Sequence, residues 1–314
     1  MDQVKLIEVM SEIGAGTRGA SMAMEALRIA ALDFRSNYFR THETIKVQGE
    51  NEMLYDKPGN FNARRIQGIV KMYERVAEAI KKVLLDGDFP IVISGDHSSA
   101  GGTVTGIKMA YPEERVGVIW IDAHADLHSP YTTPSGNMHG MPIAVLLNED
   151  NQKMKKNTLD EATVEQWNAL KNVGGIAPKI QYADLVYITL RDLEEEERQL
   201  IDNNRVMMVG THDIRTKGVN KVAREVITHL YGCQKIYISF DVDSMDPSIS
   251  KGTGTPVIGG ITDKEATNLI LELLQNEEVC CLEISEINPT LDNENSMAEC
   301  AFEILQKVTS QLEF

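Results

Sequence analysis

The chain has 314 residues, of which 42% are hydrophobic and 25% are charged, so it can bury a full core without disulfide or metal staples. Asp and Glu number 47 against 31 Lys and Arg, which gives a formal net charge of −16. This charge argues against nucleic-acid binding and against an anionic membrane surface, both of which need a basic footprint, and it suits a cationic substrate or a metal ion.

Short runs rich in valine and isoleucine alternate along the chain with segments of helical periodicity. In chain order, the runs typical of strands buried on both faces are Val4–Val9, Ile91–Ser94, Val116–Ile121, Leu185–Leu190, Val206–Val209, Ile236–Phe240 and Val279–Ile284. The helical segments are Asn62–Leu85, Leu193–Asn203, Thr262–Leu274 and Ser296–Leu312. This alternation predicts βαβ units around a parallel sheet, and the lack of a linker or repeat predicts one α/β domain over residues 1–314.

The sequence also gives expectations about location. It has no run of about 18 apolar residues, so no transmembrane helix is predicted. The segment Met1–Glu8 has no long apolar stretch, so no secretory signal is predicted there. The four cysteines form no C-x-x-C pair and are interpreted as reduced thiols. Together these features predict a cytoplasmic protein.

Three of the predicted strands are followed at once by residue types that bind metal ions. The three blocks are Ser94-Gly-Asp-His-Ser98, Asp122-Ala-His-Ala-Asp126 and Asp241-Val-Asp243. Parallel strands present their carboxyl ends on one edge of the sheet, and residues two apart in an extended chain point to the same side. His97, Asp122, His124, Asp126, Asp241 and Asp243 are therefore expected to converge.

Metal ions would relieve the electrostatic repulsion between carboxylates in such a pocket. It would collect four carboxylates, which repel one another and take up protons unless cations neutralise them. Two divalent cations would balance the charge, and a set of four carboxylates and two imidazoles suits Mn²⁺ better than a thiophilic metal. Two such ions roughly 3.5–4 Å apart can share one water molecule and lower its pKa toward ~7.

Single residues of these types carry less information. A lone Asp after a strand is more often a cap or a turn residue, which is our interpretation of Asp246-Pro247. His42, His212 and His229 lie outside the blocks and are interpreted as surface or packing residues.

The three blocks resemble the motifs of the ureohydrolase family, which includes arginases, agmatinases and related amidinohydrolases. Within that family, Ser135-Gly-Asn-Met-His-Gly140 and Glu286-Ile-Asn-Pro289 resemble the arginase branch most closely. The resemblance implies a three-layer α/β/α sandwich with a mostly parallel central sheet. It also implies a homo-oligomer, either a trimer or a hexamer, and two Mn²⁺ ions per subunit.

The resemblance assigns roles by matching position. It implies that one ion is held by His97, Asp122, Asp126 and Asp241, and the other by His124, Asp122, Asp241 and Asp243. It implies three catalytic residues: His139, which would move a proton with a pKa near neutral, Glu286, which would bind a guanidinium, and Asp126. Glu283 is the candidate hydrogen-bond partner of a ligating histidine.

The resemblance also assigns the far end of the substrate. Thr133, Ser135 and Asn137 match the residues that bind an α-carboxylate, while Glu194 and Glu197 match those near an α-amino group. His128 stands where arginases usually carry an asparagine that contacts the carboxylate. The implied activity is that of an arginase, which converts L-arginine and water to L-ornithine and urea in arginine metabolism.

Two alternatives to this activity stay open. His128 and Glu194 depart from the arginase pattern, which leaves room for a ureohydrolase acting on agmatine, guanidinobutyrate, guanidinopropionate or formiminoglutamate. A pseudoenzyme that binds metal without turnover is the second alternative, although such proteins usually lack a ligand or the proton carrier, and here neither is missing.

Overall fold

Eight parallel strands form the sheet around which residues 3–312 fold, and these are the residues that the structure, a computed structural model, describes. The strands are β1 (Val4–Val9), β2 (Thr44–Lys46), β3 (Phe89–Ser94), β4 (Val116–Ile121), β5 (Leu185–Ile188), β6 (Met207–Val209), β7 (Lys235–Asp241) and β8 (Val279–Ser285). Their order in the sheet is β2-β1-β3-β8-β7-β4-β5-β6, and every neighbouring pair is parallel.

Helices cover both faces of the sheet. They are α1 (Ala23–Asp33), α2 (Tyr38–Thr41), α3 (Ile66–Leu85), α4 (Ala100–Ala110), α5 (Pro142–Leu147), α6 (Glu161–Lys171), α7 (Glu195–Asn204), α8 (Thr211–Lys217), α9 (Val219–His229), α10 (Asp263–Leu273) and α11 (Ser296–Leu312). One apolar core joins α1, α9, α10 and α11 to the sheet, and a second core joins α3, α4, α5 and α6 to its other face. This arrangement confirms the predicted three-layer α/β/α sandwich with a parallel sheet.

The central strands are apolar throughout because both of their faces are covered. In β4, Ile119 and Ile121 belong to one core, while Val118 and Trp120 belong to the other. Burying both sets removes about 25 cal/mol of unfavourable hydration for each Å² of apolar surface. A strand of this kind cannot lie at a solvated sheet face, which is why the pattern predicts a covered parallel sheet.

Several elements escaped the sequence patterns for identifiable reasons. The edge strand β2 has three residues and pairs with β1 alone. The helix α4 contains Gly101, Gly102 and Gly106, which weaken its intrinsic helix propensity. It forms because α3 packs tightly on it: a Cβ atom at Gly101 would lie 2.0 Å from the Tyr73 hydroxyl, and one at Gly106 would lie 2.6 Å from the carbonyl oxygen of Ala77.

The remaining sequence expectations have mixed outcomes. No helix within residues 3–312 is long and apolar enough to cross a membrane. The four cysteines are free thiols, as predicted. One domain over residues 1–314 stays our proposal, and the residues at 1–2 and 313–314 lie outside the described part of the chain.

The strand order decides where chemistry can occur. Leu282 of β8 lies between Ile91 of β3 and Ile238 of β7, so the last strand in the sequence is inserted near the middle of the sheet. The strands β3, β8, β7 and β4 are consecutive neighbours, and their carboxyl ends meet at one edge. Segments far apart in sequence therefore leave the sheet side by side, which is where open α/β sheets bind ligands.

A buried lysine lies on the helical layer that carries α6. The side chain of Lys179 is almost inaccessible to water, and its Nζ donates hydrogen bonds to the carbonyl oxygens of Lys171 at 2.6 Å and Ile176 at 3.0 Å. No carboxylate of the described chain lies within ion-pair distance of it. Burial therefore lowers the pKa of Lys179 from its ordinary value of 10.5 to about 8.

We expect this lysine to make stability rise with pH above neutrality. Between pH 8 and 10.5 the unfolded chain binds the extra proton, so the free energy of unfolding gains at most about 1.4 kcal/mol per pH unit from this group. Lys179→Met should remove that slope, whereas Lys171→Met, whose Nζ contacts Asp150 instead, should keep it. Denaturant titrations across this pH range measure the slopes, and equal slopes for wild type and Lys179→Met would contradict the prediction.

Candidate active site

Four ligand-type side chains converge where β3, β7 and β4 end. His97 begins a short turn after β3, and its Nδ1 lies 3.0 Å from Asp122 Oδ2, 3.1 Å from Asp126 Oδ2 and 3.2 Å from Asp241 Oδ2. The imidazole stacks on Trp120, with ring centroids 4.1 Å apart, and its Nε2 lies 2.6 Å from the hydroxyl of Ser239. Both contacts fix the ring, so Nδ1 is held facing the carboxylates.

A second group of ligand-type side chains adjoins the first and shares one residue with it. His124 Nδ1 lies 3.0 Å from Asp243 Oδ2 and 3.4 Å from Asp122 Oδ1. In the two groups, the ligand atoms of His97, Asp122 and Asp126 and those of Asp122, His124 and Asp243 each lie within 4.8 Å of one another. Asp122 can therefore contribute one oxygen to each of two cations.

Some buried atoms of this cluster lack hydrogen-bond partners within the protein, and a divalent cation could coordinate them. His97 Nδ1 and Asp122 Oδ2 are 3.0 Å apart and buried, yet neither makes a hydrogen bond. Buried polar atoms normally have partners, so an orphaned pair of this kind calls for an explanation such as an ion. The donor set of two imidazoles and four carboxylates suits a hard or borderline divalent metal.

Burial and mutual repulsion disturb the protonation of the cluster. They raise the pKa values of Asp126 and Asp241 above the ordinary range, and they raise the pKa of Asp243 to about 6. Burial lowers the pKa of His97, but the negative charges of Asp122, Asp126 and Asp241 around Nδ1 raise it well above its usual value. The raised carboxylate pKa values show that the protein alone does not neutralise these negative charges, as expected of side chains that bind cations.

Two residues of the cluster adopt a left-handed backbone conformation. Asp126 has φ 48° and Glu286, the residue after β8, has φ 65°. Non-glycine residues adopt such angles rarely, and the surrounding structure must hold them there. In both cases the unusual backbone turns a carboxylate back toward the strand ends.

Glu286 and His139 form a buried pair beside the cluster. Glu286 Oε1 accepts a hydrogen bond from the backbone N–H of His97 at 2.9 Å and lies 3.0 Å from His139 Nδ1. Burial lowers the pKa of His139, but the Glu286 carboxylate raises it to about 9. The partner carboxylate therefore stabilises the imidazolium form of His139, and the catalytic role of this residue stays a prediction.

The loop of residues 133–137 forms the opposite wall. The hydroxyl oxygen of Thr133 accepts hydrogen bonds from the N–H groups of Ser135 and Gly136, and that of Ser135 accepts one from the N–H of Asn137. Gly136 has φ 73°, and a Cβ atom there would lie 1.8 Å from the carbonyl oxygen of Phe61, so the turn needs glycine. The loop thus occupies both lone pairs of the Thr133 hydroxyl and one lone pair of the Ser135 hydroxyl, and both hydroxyl protons can be donated to a ligand.

His128 lies between two glutamates at the start of α7. Its Nε2 is 3.1 Å from Glu194 Oε2 and 3.6 Å from Glu197 Oε2. These glutamates also cap α7, since Glu197 accepts from the N–H of Glu194. The side-chain hydrogen bond with His128 lowers the pKa of Glu194 to about 2, while burial raises that of Glu197 to about 7.

The structure brings the residues singled out from the sequence into one cleft. It is lined by His97, His124, Asp126, His128, Thr133, Ser135, Asn137, His139, Glu194, Glu197, Asp241, Asp243 and Glu286, with no lysine or arginine of the described chain among the lining residues. Asp122 lies just behind this surface, 1% exposed, in contact with both histidines. Their roles remain predictions.

Some residues of the site were missed or misread in the sequence. Glu283 accepts hydrogen bonds from Thr103 and Tyr237, so the interpretation that it supports a ligating histidine is wrong; Ser239 contacts His97 instead. Ser239 could have been found, because it precedes Asp241 by two positions in β7 and so points to the same side. Arg191, which donates to the backbone carbonyl of Asp243, gave no local signal.

Comparisons with known proteins agree with this geometry. A family model described as "Arginase family" matches residues 2–310. The arginase of Bacillus caldovelox is 34% identical over 97% of each chain, and the arginase of Bacillus subtilis (strain 168) is 33% identical over the same share. The solved structure of the arginase from Bacillus caldovelox matches with a TM-score of 0.83, at 31% identity over 98% of each chain.

We expect the convergent cluster to bind Mn²⁺, and elemental analysis of metal-loaded, desalted protein tests this. Asp126→Ala and Asp243→Ala should each lower the content from two ions per chain to about one or none, because three or more ligands usually hold each ion. Asp246→Ala is the matched control, since this carboxylate caps a turn through the N–H groups of Ser248 and Gly259. Unchanged metal content in Asp126→Ala and Asp243→Ala would refute the site.

Proposed function

This chain belongs to the arginase family, and from that premise we propose that it hydrolyses L-arginine to L-ornithine and urea with two Mn²⁺ ions per subunit. One observation carries the proposal: a single cleft has carboxylates and imidazoles at one end and a loop that offers hydrogen-bond donors at the other. A molecule with a cationic guanidinium at one end and a carboxylate at the other complements both.

Six side chains would hold the two ions. We assign His97, Asp122, Asp126 and Asp241 to one ion and His124, Asp122, Asp241 and Asp243 to the other, with Asp122 and Asp241 common to both. When bound, a pair of such ions supplies Lewis-acid charge and makes a water molecule a better nucleophile at neutral pH. Ser239 and Trp120 hold the His97 ring so that Nδ1 keeps facing the carboxylates.

Glu286 is suited to anchor the guanidinium. Its Oε1 is fixed by the N–H of His97 and by His139, whereas no group of the described chain donates a hydrogen bond to its Oε2. A guanidinium can donate to that oxygen through a charge-assisted hydrogen bond. Anchoring the cation there would hold its central carbon in place beside the cluster, which lowers the entropic part of the barrier.

His139 is suited to deliver a proton to the leaving amine. The Glu286 carboxylate raises the pKa of His139 and so favours the protonated imidazole, with Nδ1–H directed at Glu286 Oε1. The second N–H, on Nε2, is then available to the nitrogen that leaves when the C–N bond breaks. The water molecule that forms the new C–O bond must lose a proton, and this proton would restore the imidazolium when the cycle closes.

The loop of residues 133–137, here called the donor loop, and two glutamates would recognise the amino-acid end of the substrate. The hydroxyl protons of Thr133 and Ser135 and the amide of Asn137 would bind the α-carboxylate, and Glu194 and Glu197 would attract the α-amino group. A second candidate is another ureohydrolase, acting on a different guanidino or formimino compound. This second candidate is favoured by the contact between His128 and Glu194 at 3.1 Å, because the imidazole occupies the carboxylate that would otherwise bind the α-amino group of arginine.

The cytoplasmic location and the trimeric or hexameric assembly stay predictions from the sequence.

We expect Mn²⁺-loaded protein to release urea from L-arginine much faster than from agmatine. Agmatine lacks the carboxylate, and each lost hydrogen bond to a charged group should cost about tenfold in kcat/KM. The assay compares both substrates at equal concentration and includes formiminoglutamate, guanidinobutyrate and guanidinopropionate. Preference for any other compound would support the second candidate, and no turnover by fully loaded protein would overturn both in favour of a pseudoenzyme.

We expect Glu286→Gln to reduce urea release by about a hundredfold or more while both ions stay bound, because a neutral amide cannot pair with the guanidinium. Metal content and the rate are measured on one preparation. Glu195→Gln, an exposed glutamate in the first turn of α7, is the control and should keep full activity. Near wild-type turnover by Glu286→Gln would contradict the role given to this carboxylate.

A further inference from the structure

Arg64 lies outside the cleft but reaches the loop of residues 133–137 from behind. Its Nη1 donates a hydrogen bond to Asn137 Oδ1 at 3.2 Å, and its backbone N–H donates to the carbonyl oxygen of Gly136 at 2.9 Å. The guanidinium also lies over the ring of Phe61, 5.0 Å from its centroid. These contacts tie the segment before α3 to the donor loop.

The charge of Arg64 is not neutralised by an ion pair. No carboxylate of the described chain lies within 4.0 Å of its guanidinium, although acidic residues outnumber basic ones by 16 in the whole sequence. Its Nε is buried and makes no hydrogen bond. The positive charge of Arg64 therefore acts on its neighbours, and its guanidinium donates a hydrogen bond to the amide of Asn137.

Arg64 decides which way the Asn137 amide faces. A guanidinium can only donate hydrogen bonds, so the atom that meets Nη1 must be the amide oxygen. The amide nitrogen then faces away from Arg64 and toward Gly16, where a Cβ atom would lie 2.7 Å from Nδ2. Within the described chain Nδ2 donates no hydrogen bond, and Asn137 lines the cleft.

We propose that Arg64 is a positioning residue that makes the cleft selective for substrates with a carboxylate. By binding Oδ1 of Asn137, it leaves the amide as a donor alongside the hydroxyl protons of Thr133 and Ser135. This inference rests on the proposed function, because it assumes that the substrate's carboxylate meets this loop. Without Arg64 the amide can rotate by half a turn and present its oxygen, which repels a carboxylate and leaves a substrate lacking one unaffected.

Kinetics of neutral variants test the proposal. In Arg64→Met and Arg64→Leu, the KM for L-arginine should rise by on the order of tenfold, the effect of one hydrogen bond to a charged group, while kcat stays unchanged. Both constants for agmatine should stay at their wild-type values. Arg64→Lys keeps a donor that can reach Oδ1, so it should restore most of the affinity for L-arginine.

The neighbouring arginine gives a matched control. Arg65 carries the same charge one residue away, and its Nε donates to the carbonyl oxygen of Met53 instead of to the loop. Arg65→Met removes one positive charge but leaves the contact between Arg64 and Asn137 intact. It should keep the wild-type preference between L-arginine and agmatine; if it loses that preference to the same extent, general surface charge is responsible and the proposal fails.

Binding of product analogues separates this proposal from the proposed reaction. Calorimetry on Mn²⁺-loaded protein compares L-ornithine with 1,4-diaminobutane, which differ by the carboxylate and need no turnover. Arg64→Met and Arg64→Leu should weaken the binding of L-ornithine by about tenfold and leave that of 1,4-diaminobutane unchanged. Equal weakening of both ligands, or no weakening, would overturn the role of Arg64. A wild type that binds L-ornithine selectively but releases no urea from L-arginine would refute the proposed reaction alone.

Discussion

Four carboxylates lie close together at the carboxyl ends of neighbouring strands, with almost no contact with water. They belong to Asp122, Asp126, Asp241 and Asp243, and within the described chain they contact two imidazoles but form no ion pair with a lysine or an arginine. Burying unpaired charge is costly, so such a group persists only if protons or metal ions balance it. The sandwich around the sheet supplies the rigidity that this arrangement needs, since packed apolar cores on both faces prevent the strand ends from moving apart.

The cleft above this cluster is polarised along its length. At the floor, carboxylates favour cations; at the loop of residues 133–137, backbone N–H groups donate to the hydroxyl oxygens of Thr133 and Ser135, which leaves both hydroxyls able to donate to a ligand. Arg64, behind the loop, extends the same polarity to the amide of Asn137. If the proposed function holds, specificity for a substrate with opposite charges at its two ends would depend on which hydrogen-bond acceptors the loop already occupies, as well as on which residues line the cleft.

The region around His128 departs most from this simple picture. The imidazole lies between Glu194 and Glu197, so both glutamates already have a partner within the protein. A ligand ammonium group must compete with that partner or bind beside it. The same glutamates cap α7, which couples the end of the cleft to the position of that helix.

The sequence by itself determined the parallel α/β class and the ligand-type side chains, because both depend on local patterns: doubly apolar strands, and polar residues at the strand ends. The tertiary structure alone decided that β8 lies between β3 and β7, which brings Glu286 to His97 across 189 positions of sequence. It also decided that the glycine-rich segment 100–110 is helical, since α3 packs against it, and that Ser239 supports His97 where Glu283 was expected. Strand order, close packing and the direction of each hydrogen bond depend on contacts between distant segments, and no local pattern encodes them.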